Sequence, residues 1–470
     1  MSRFFDPPAP KQQLPSEKVP KVFNVMRWKV FLGAFLGYAG YYLVRKNLSL
    51  AAPDMIKDGI LDAGKVGLAM SAVSIAYAFS KFIMGSVSDR SDSRKFLCVG
   101  LVLSALVMIL TGVIPYGANT ALNTTVIFIL MLVVGWLSGM GWPPCGRIMT
   151  HWFSQNERSF KMSIWNVSHT IGSFALGFLA IAGVALFAFF APTFGIDPAQ
   201  AWRGNFIFPA LIAIAIAIFC WWAIRDTPES CGLPSVQEYR NDYSGVKSKG
   251  PAGDKLPFKV LFIDYVFKNK LLWIVALSNI FVYMVRYGIG DWSPTFLQDA
   301  GIMTADESKV AFSVHNLIGA FGTILCGLAT SKIFKGRCAP MNVICMIACM
   351  FGVLIYWFVG AGYVAMSPAL QKTLVYVALC LIGFFIYGPV ALTGVQALNL
   401  VPKNAAGTAA GFVGLFGYFI GDAICSKIFV GSVANHLGWN AANLTVAVGA
   451  GIGVLLCAML IKSEKSMTNN

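Results

Sequence analysis

What most constrains this chain is the recurrence of apolar stretches, each long enough to cross the ~30 Å hydrocarbon core of a bilayer. They fall near 28–56, 64–87, 96–115, 122–146, 160–190, 203–224, 271–298, 308–330, 340–360, 372–398, 405–432 and 440–461. With 57% hydrophobic and 12% charged residues among 470, the chain lacks the polar side chains to cover a water-soluble globule. Alternating barrel strands are absent, and no open strand edge is satisfied in lipid, so each stretch is read as a helix. The fold class that follows is an all-α membrane protein with twelve transmembrane helices.

Positive charge sets its orientation. Arg3, Lys11, Lys18, Lys21, Arg27 and Lys29 precede or open the first stretch, and the loops after the even-numbered ones carry Arg90, Arg94, Lys95, Arg147, Arg158, Lys161, Lys332, Lys335 and Arg337. Both termini are therefore expected in the cytoplasm. The net charge of +15 is accounted for by this topology, with no need for a nucleic-acid partner. The first 29 residues are polar and hold prolines, unlike a cleaved signal peptide. One long polar segment, 225–270, contains Pro228, Pro234, Gly250, Pro251 and Gly253 and has linker composition. The expected organisation is a cytoplasmic tail (1–27), a six-helix half (28–224), a cytoplasmic linker (225–270), a second six-helix half (271–461) and a short cytoplasmic tail (462–470).

The halves resemble each other. YLVR at 42–45 recurs as YMVR at 283–286, and GSVSDR at 85–90 has an echo at nearly the same offset in GLATSK at 327–332. Two matches at one offset point to duplication, a recurrent transporter plan with its substrate site between the halves near mid-membrane.

The repeated tetrapeptide ends in arginine. A helix from about Trp28 to Ile56 would place Arg45 past its middle, and Arg286 lies about as deep in the seventh stretch. A guanidinium at that depth costs ~2.5–3.5 kcal/mol on insertion scales. An anion held between the two would offset both costs, and the guanidinium fork matches phosphate oxygens bidentately. The alternatives are snorkelling of Arg45, or pairing of Arg286 with Asp291, which lies off its α-helical face. Tyr38 and Tyr42 share the face of Arg45; Tyr77 and Lys81 are an i,i+4 pair; Asn166 and His169 are an i,i+3 pair. Lys81 has a snorkelling alternative and His169 a packing one. The eleven cysteines lack metal-ligand spacing and read as small buried apolar residues. Neither a metal nor a cofactor is expected.

GYAGYYLVRKN, SIAYAFSKFIMGSVSDRS, GMGWPPCGR, WNVSHTIG, RDTPESCGLP, IFVYMVRYGIGDWSPTF, FFIYGPVALTG and VPKNAAGTAAGFVGLFGY occur in this order over nearly the whole chain. Together they resemble the organophosphate:phosphate antiporters of the major facilitator superfamily, most of all the glycerol-3-phosphate branch. The resemblance implies a substrate site of Arg45, Arg286, Tyr38, Tyr42, Tyr77, Lys81, Trp142, Asn166, His169, Tyr283, Tyr387 and Tyr418. It also implies a cytoplasmic gate motif at Gly85, Asp89 and Arg90, and a charge network that includes Lys46 and Asp291.

Three departures from the family pattern stand out. Asn316 replaces a usual glutamate, which leaves the charge network one carboxylate short, and Ser331 replaces aspartate in the second copy of the gate motif. Asp422 and Lys427 are charges that the glycerol-3-phosphate branch lacks, whereas the hexose-phosphate branch has an Asp and a Lys there, its lysine shifted by one residue. At α-helical spacing Asp422 and Lys427 do not share a face, so a direct i,i+4 bridge is not expected and at least one of them should face the pocket or another helix. With Asn316 they are candidate specificity residues: Lys427 either reaches the site and favours a hexose phosphate or phosphoglycerate, or neutralises Asp422 or snorkels outward and leaves glycerol 3-phosphate preferred.

The resemblance implies alternating-access exchange of a phosphate ester for inorganic phosphate by a chain that needs no partner subunit, in a bacterial inner membrane. Two rival readings are a phosphate-ester sensor and a proton-driven symporter using Asp291, Asp422 or His169.

Overall fold

The structure is a computed structural model that describes residues 3–88, 90–241, 261–401 and 406–468, and among these every regular element is helical. Span 1 comprises Val19–Leu43 and Asn47–Lys57, span 2 Ala63–Ser88, span 3 Ser93–Val113 and span 4 Thr120–Ser138 with Trp142–Trp152. Span 5 comprises Gln155–Asn166 and Ser168–Phe190, and span 6 Gly204–Ala223. The second half repeats the plan: span 7 is Lys270–Gly290 with Ser293–Asp299, span 8 Ala305–Lys332, span 9 Cys338–Gly360 and span 10 Pro368–Asn399. Span 11 runs through Ala406–Leu415 and Phe416–Phe429. The last helix, Val430–Thr468, is interrupted at Gly438 (φ 80°), a backbone region open to glycine. That residue divides the end of span 11 from span 12.

Among the described residues, ten stretches are long and apolar enough to cross a membrane. One of them, Thr408–Glu464, is two spans divided at Gly438, and span 1, diluted by Arg27, Lys29 and its tyrosines and glycines, is the twelfth. The twelve-helix architecture in two six-helix halves therefore stands. The expected first helix needs correction: it begins at Val19 and does not run unbroken to Ile56. It stops at Leu43 and restarts at Asn47, so Arg45 sits in a break, with Val44 and Lys46 outside helical geometry. Asp89 and the linker residues 242–260 lie outside the described residues.

Two of the breaks have local causes. Pro294 lies in the first turn of Ser293–Asp299 and Pro143 and Pro144 lie in that of Trp142–Trp152, positions where a missing N–H costs little and where a preceding helix cannot continue through. In span 1 the restart is pinned from the side, because the buried Asn47 amide donates to the Asn205 carbonyl of span 6 at 2.8 Å.

The two halves are organised alike at the side where span 1 begins and span 12 ends, here the terminal side. Asp226, just after span 6, accepts from the Ser93 N–H that opens span 3 (3.0 Å) and from Arg147 at the end of span 4 (3.1 Å). Glu464, near the end of span 12, accepts from the Ala339 N–H that opens span 9 (2.8 Å) and from Gln396 of span 10 (2.6 Å). In each half a carboxylate caps a helix start whose N–H groups lack intrahelical partners.

Candidate functional site

Spans 1, 2, 4 and 5 of the first half and 7, 8, 10 and 11 of the second surround a cavity of about 180 Å³. It is lined by Tyr38, Tyr42, Tyr77, Lys81, Trp142, Asn166, His169, Tyr283, Arg286, Thr323, Tyr387, Val390, Ala391 and Tyr418. Every substrate-site residue read from the sequence is in this lining except Arg45. That arginine lies on the floor, lining a smaller adjacent cavity of about 20 Å³, with its guanidinium 3.8 Å from the centre of the Tyr77 ring. Among the described residues, none that lines the larger cavity is acidic.

The arginines meet aromatic faces. Arg45 lies over Tyr77, Tyr42 and Tyr418; Arg286 lies over Tyr387 (4.5 Å), Tyr287 (4.8 Å) and Tyr283 (6.0 Å). Tyr77 and Tyr283 both pack edge-on to Tyr418, so the aromatic shells of the two arginines join across the halves. A cation–π contact is worth ~0.5–2 kcal/mol, against at least ~2.5–3.5 kcal/mol for placing a guanidinium at this depth. The three rings around each guanidinium offset much of that cost but leave its positive charge unneutralised, and an anion between the two would neutralise it. Lys81 adds a third positive group, its ammonium 5.6–5.9 Å from the ring centres of Trp142, Tyr418 and Tyr77. It points into the cavity rather than toward a headgroup layer.

His169 lies in the first turn of the second helix of span 5, which Val167, itself at helical backbone angles, separates from Gln155–Asn166. Its Nδ1 bonds the Asn166 carbonyl, so the i,i+3 relation read from the sequence is realised through the backbone rather than the amide side chain. With Nδ1 donating there, Nε2 is the atom left for other partners. The ring lies between Tyr42 of one half and Tyr387 of the other, at 5.5 and 6.0 Å.

Away from the terminal side, beyond the arginines, the halves close on one another. Lys46 donates to Asp291 at 2.6 Å, and the Ser49 hydroxyl donates to the Asp291 carbonyl. The two chain breaks, at 44–46 and 291–292, are thereby tied directly. Asp291 also lies 3.6 Å from Lys427, which sits 3.0 Å from Asp422 and donates to Ser74 at 2.7 Å; Ser74 in turn donates to Asp422 at 2.6 Å. The alternative pairing of Asp291 with Arg286 is replaced by this network.

Two expectations from the sequence are corrected here. Asp422 and Lys427 do bridge, because Phe416–Phe429 is wound as a π-helix. Its i→i+5 bonding stacks residues that α-helical spacing would send apart. The charge network is also not short of a carboxylate, since Asp422 supplies one from span 11. Asn316, in span 8, instead accepts from the Tyr387 hydroxyl (2.8 Å) and donates to the Phe312 carbonyl. Arg90 is exposed at the terminal end of span 2.

Burial differs along the axis of the site. Trp142 is 37% exposed, whereas Lys46 and Asp291 beyond the arginines are 9% and 3% exposed.

Sequence reasoning missed Ser74, Tyr287 and Thr323. Ser74 carried a usable signal, since it shares a helical face with Tyr77 and Lys81 at i+3 and i+7. Tyr287 and Thr323 reach the site only through the packing of spans 7 and 8.

Comparison with known proteins agrees in scale with this architecture. The profile described as Major Facilitator Superfamily matches residues 30–426. The glycerol-3-phosphate transporter of Bacillus subtilis is 43% identical over 465 residues, covering 99% of each chain. A probable hexose phosphate transport protein of Chlamydia pneumoniae is 32% identical over 465 residues, covering 97% of this chain and 96% of that one. Among solved structures, a bacterial homologue of the human lysosomal transporter Spinster, inward-facing and unoccupied, superposes with a TM-score of 0.71 at 16% identity over 92% of this chain and 95% of that one.

Proposed function

We propose, from the premise that this chain belongs to the Major Facilitator Superfamily, that it exchanges a small phosphate ester for inorganic phosphate by alternating access. The ester we assign is sn-glycerol 3-phosphate. The observation that carries the reading is the pair of guanidiniums, one from each half: Arg286 in the lining of an aromatic cavity whose described lining holds no acidic side chain, and Arg45 beside it over Tyr77. A cavity of about 180 Å³ falls below the roughly 300–1,000 Å³ typical of drug-sized ligands and suits a three-carbon ester. The higher identity to a relative named for glycerol 3-phosphate than to one named for hexose phosphate supports the same choice.

Charge supplies the mechanism. Two buried cations from opposite halves resist closure around an empty site; a bound phosphate group neutralises them and draws the halves together, which lowers the barrier to reorientation. The loaded carrier turns over and the empty one does not, so efflux of phosphate is coupled to entry of the ester. We place the terminal side in the cytoplasm of a bacterial inner membrane, following the positive charges there. One chain encloses the whole site and acts as a monomer.

Counterflow in proteoliposomes tests this. Internal phosphate should drive uptake of labelled glycerol 3-phosphate without a pH gradient. No flux with any phosphate ester would favour a sensor, and flux that needs a proton gradient but no internal phosphate would favour a symporter.

A further inference from the structure

The π-helical stretch of span 11 has a role that the anion site does not use. It faces span 2 across the boundary between the halves, and the contact is close. A Cβ on Gly67 would lie 2.2 Å from the Lys427 carbonyl oxygen, so only glycine admits this approach. The widened winding is braced from behind, where the Trp292 indole N–H donates to the Ser426 carbonyl at 2.9 Å. At its centre the Ser74 hydroxyl is held by both members of the Asp422–Lys427 pair, accepting from the ammonium and donating to the carboxylate.

We propose that Ser74 and the Asp422–Lys427 pair form a latch that holds the far side of the molecule shut, and that it closes only while span 11 is wound with i→i+5 bonds. The proposal rests on the alternating-access reading above. Opening the far side then requires this stretch to rewind toward α-helical geometry, in which Asp422 and Lys427 diverge and no longer present one hydroxyl with a donor and an acceptor together.

The chemistry suits a clasp that must release. Asp422 and Lys427 are on the same element, so their opposite charges remain on one half when Ser74 withdraws and span 11 rewinds, and Lys427 keeps Asp291 as a partner on that half. A hydrogen bond to a charged group biases an equilibrium about tenfold or more, and is still weak enough to be broken on each cycle. A latch built as an ion pair across the boundary would leave two uncompensated charges when opened. The Lys46–Asp291 contact is of that kind, but Asp291 keeps Lys427 as a second partner on its own half.

Hydrogen exchange read by mass spectrometry on the ligand-free full chain in lipid nanodiscs tests the latch. Ser74→Ala should speed exchange roughly tenfold or more at residues 63–70 and 422–430 and slow it at the terminal ends of the same spans, the signature of a shift toward the far-side-open state. Ser74→Thr keeps the hydroxyl and should restore the wild-type pattern. The paired change Asp422→Asn with Lys427→Met should reproduce the Ser74→Ala pattern, and adding Ser74→Ala to it should change nothing further. The latch is overturned by a Ser74→Ala pattern equal to wild type, by faster exchange on both sides alike, by failure of the threonine to restore, or by additive effects. Flux measured on the same wild-type preparation keeps the two readings apart: if no ester is exchanged but the reciprocal pattern is seen, the assigned function fails and the latch stands.

Discussion

Asp291 is the residue whose loss should cost most in the far-side network, and the asymmetry follows from its partners. It is 3% exposed and touches two ammonium groups, Lys46 at 2.6 Å and Lys427 at 3.6 Å. With Asp422 included, two lysines face two carboxylates and the cluster is balanced. Asp291→Asn leaves a net positive cluster close to two further cations, Arg45 and Arg286, and removes the ion-pair partner of Lys46. Removing one partner of a buried pair costs ~3–5 kcal/mol because the other charge is left uncompensated. Lys46→Met leaves a net negative cluster in which Lys427 still serves both carboxylates, with the two arginines nearby, so its cost should be smaller. Thermal unfolding in nanodiscs, followed by tryptophan fluorescence, should rank the midpoints as wild type, then Lys46→Met, then Asp291→Asn. The double variant should recover part of the Asp291→Asn loss, since it removes the stranded ammonium. Equal midpoints for the two single variants, or a double variant whose loss is the sum of theirs, would refute the shared-carboxylate reasoning.

Three further outcomes test the anion site. Arg45→Lys and Arg286→Lys keep charge but lose the planar fork, and each should weaken phosphate binding by about tenfold or more in labelled-phosphate uptake; near wild-type transport in both would remove the arginines from the site. His169→Ala should abolish most uptake while His169→Gln retains part of it, because the glutamine amide can reach the cavity from the same helix start; an alanine variant at the wild-type rate would return the ring to a packing role. Competition of phosphate uptake by glycerol 3-phosphate, a hexose phosphate and phosphoglycerate should be led by glycerol 3-phosphate in both wild type and Lys427→Ala, and a ranking led by the hexose phosphate that collapses in the variant would reverse the choice of ester.

The spans were legible because membrane insertion demands unbroken apolar length, a property written locally in the chain. The arginines were legible because a charge at that depth is costly and because YLVR and YMVR repeat. What escaped was conformation within spans. Pro294 and the Pro143–Pro144 pair marked two of the breaks in advance, but the one at Arg45 depends on Asn47 reaching the Asn205 carbonyl of another span, and nothing in residues 41–50 announces it. A charged residue can thus be singled out from the sequence while the element that carries it is misread.

The winding of span 11 carries that point furthest. Read with 3.6 residues per turn, Asp422 and Lys427 point apart; wound with i→i+5 bonds, they meet at 3.0 Å. Nothing in FGYFIGDAICSKIF distinguishes the two by apolar periodicity, because the deciding contacts come from elsewhere: Gly67 and Ser74 on span 2, and the Trp292 indole on span 7. The spacing of a charge pair therefore reports on its winding only when the opposing half is in place. A stretch whose winding depends on the opposing half is also one whose winding will change when that half moves away.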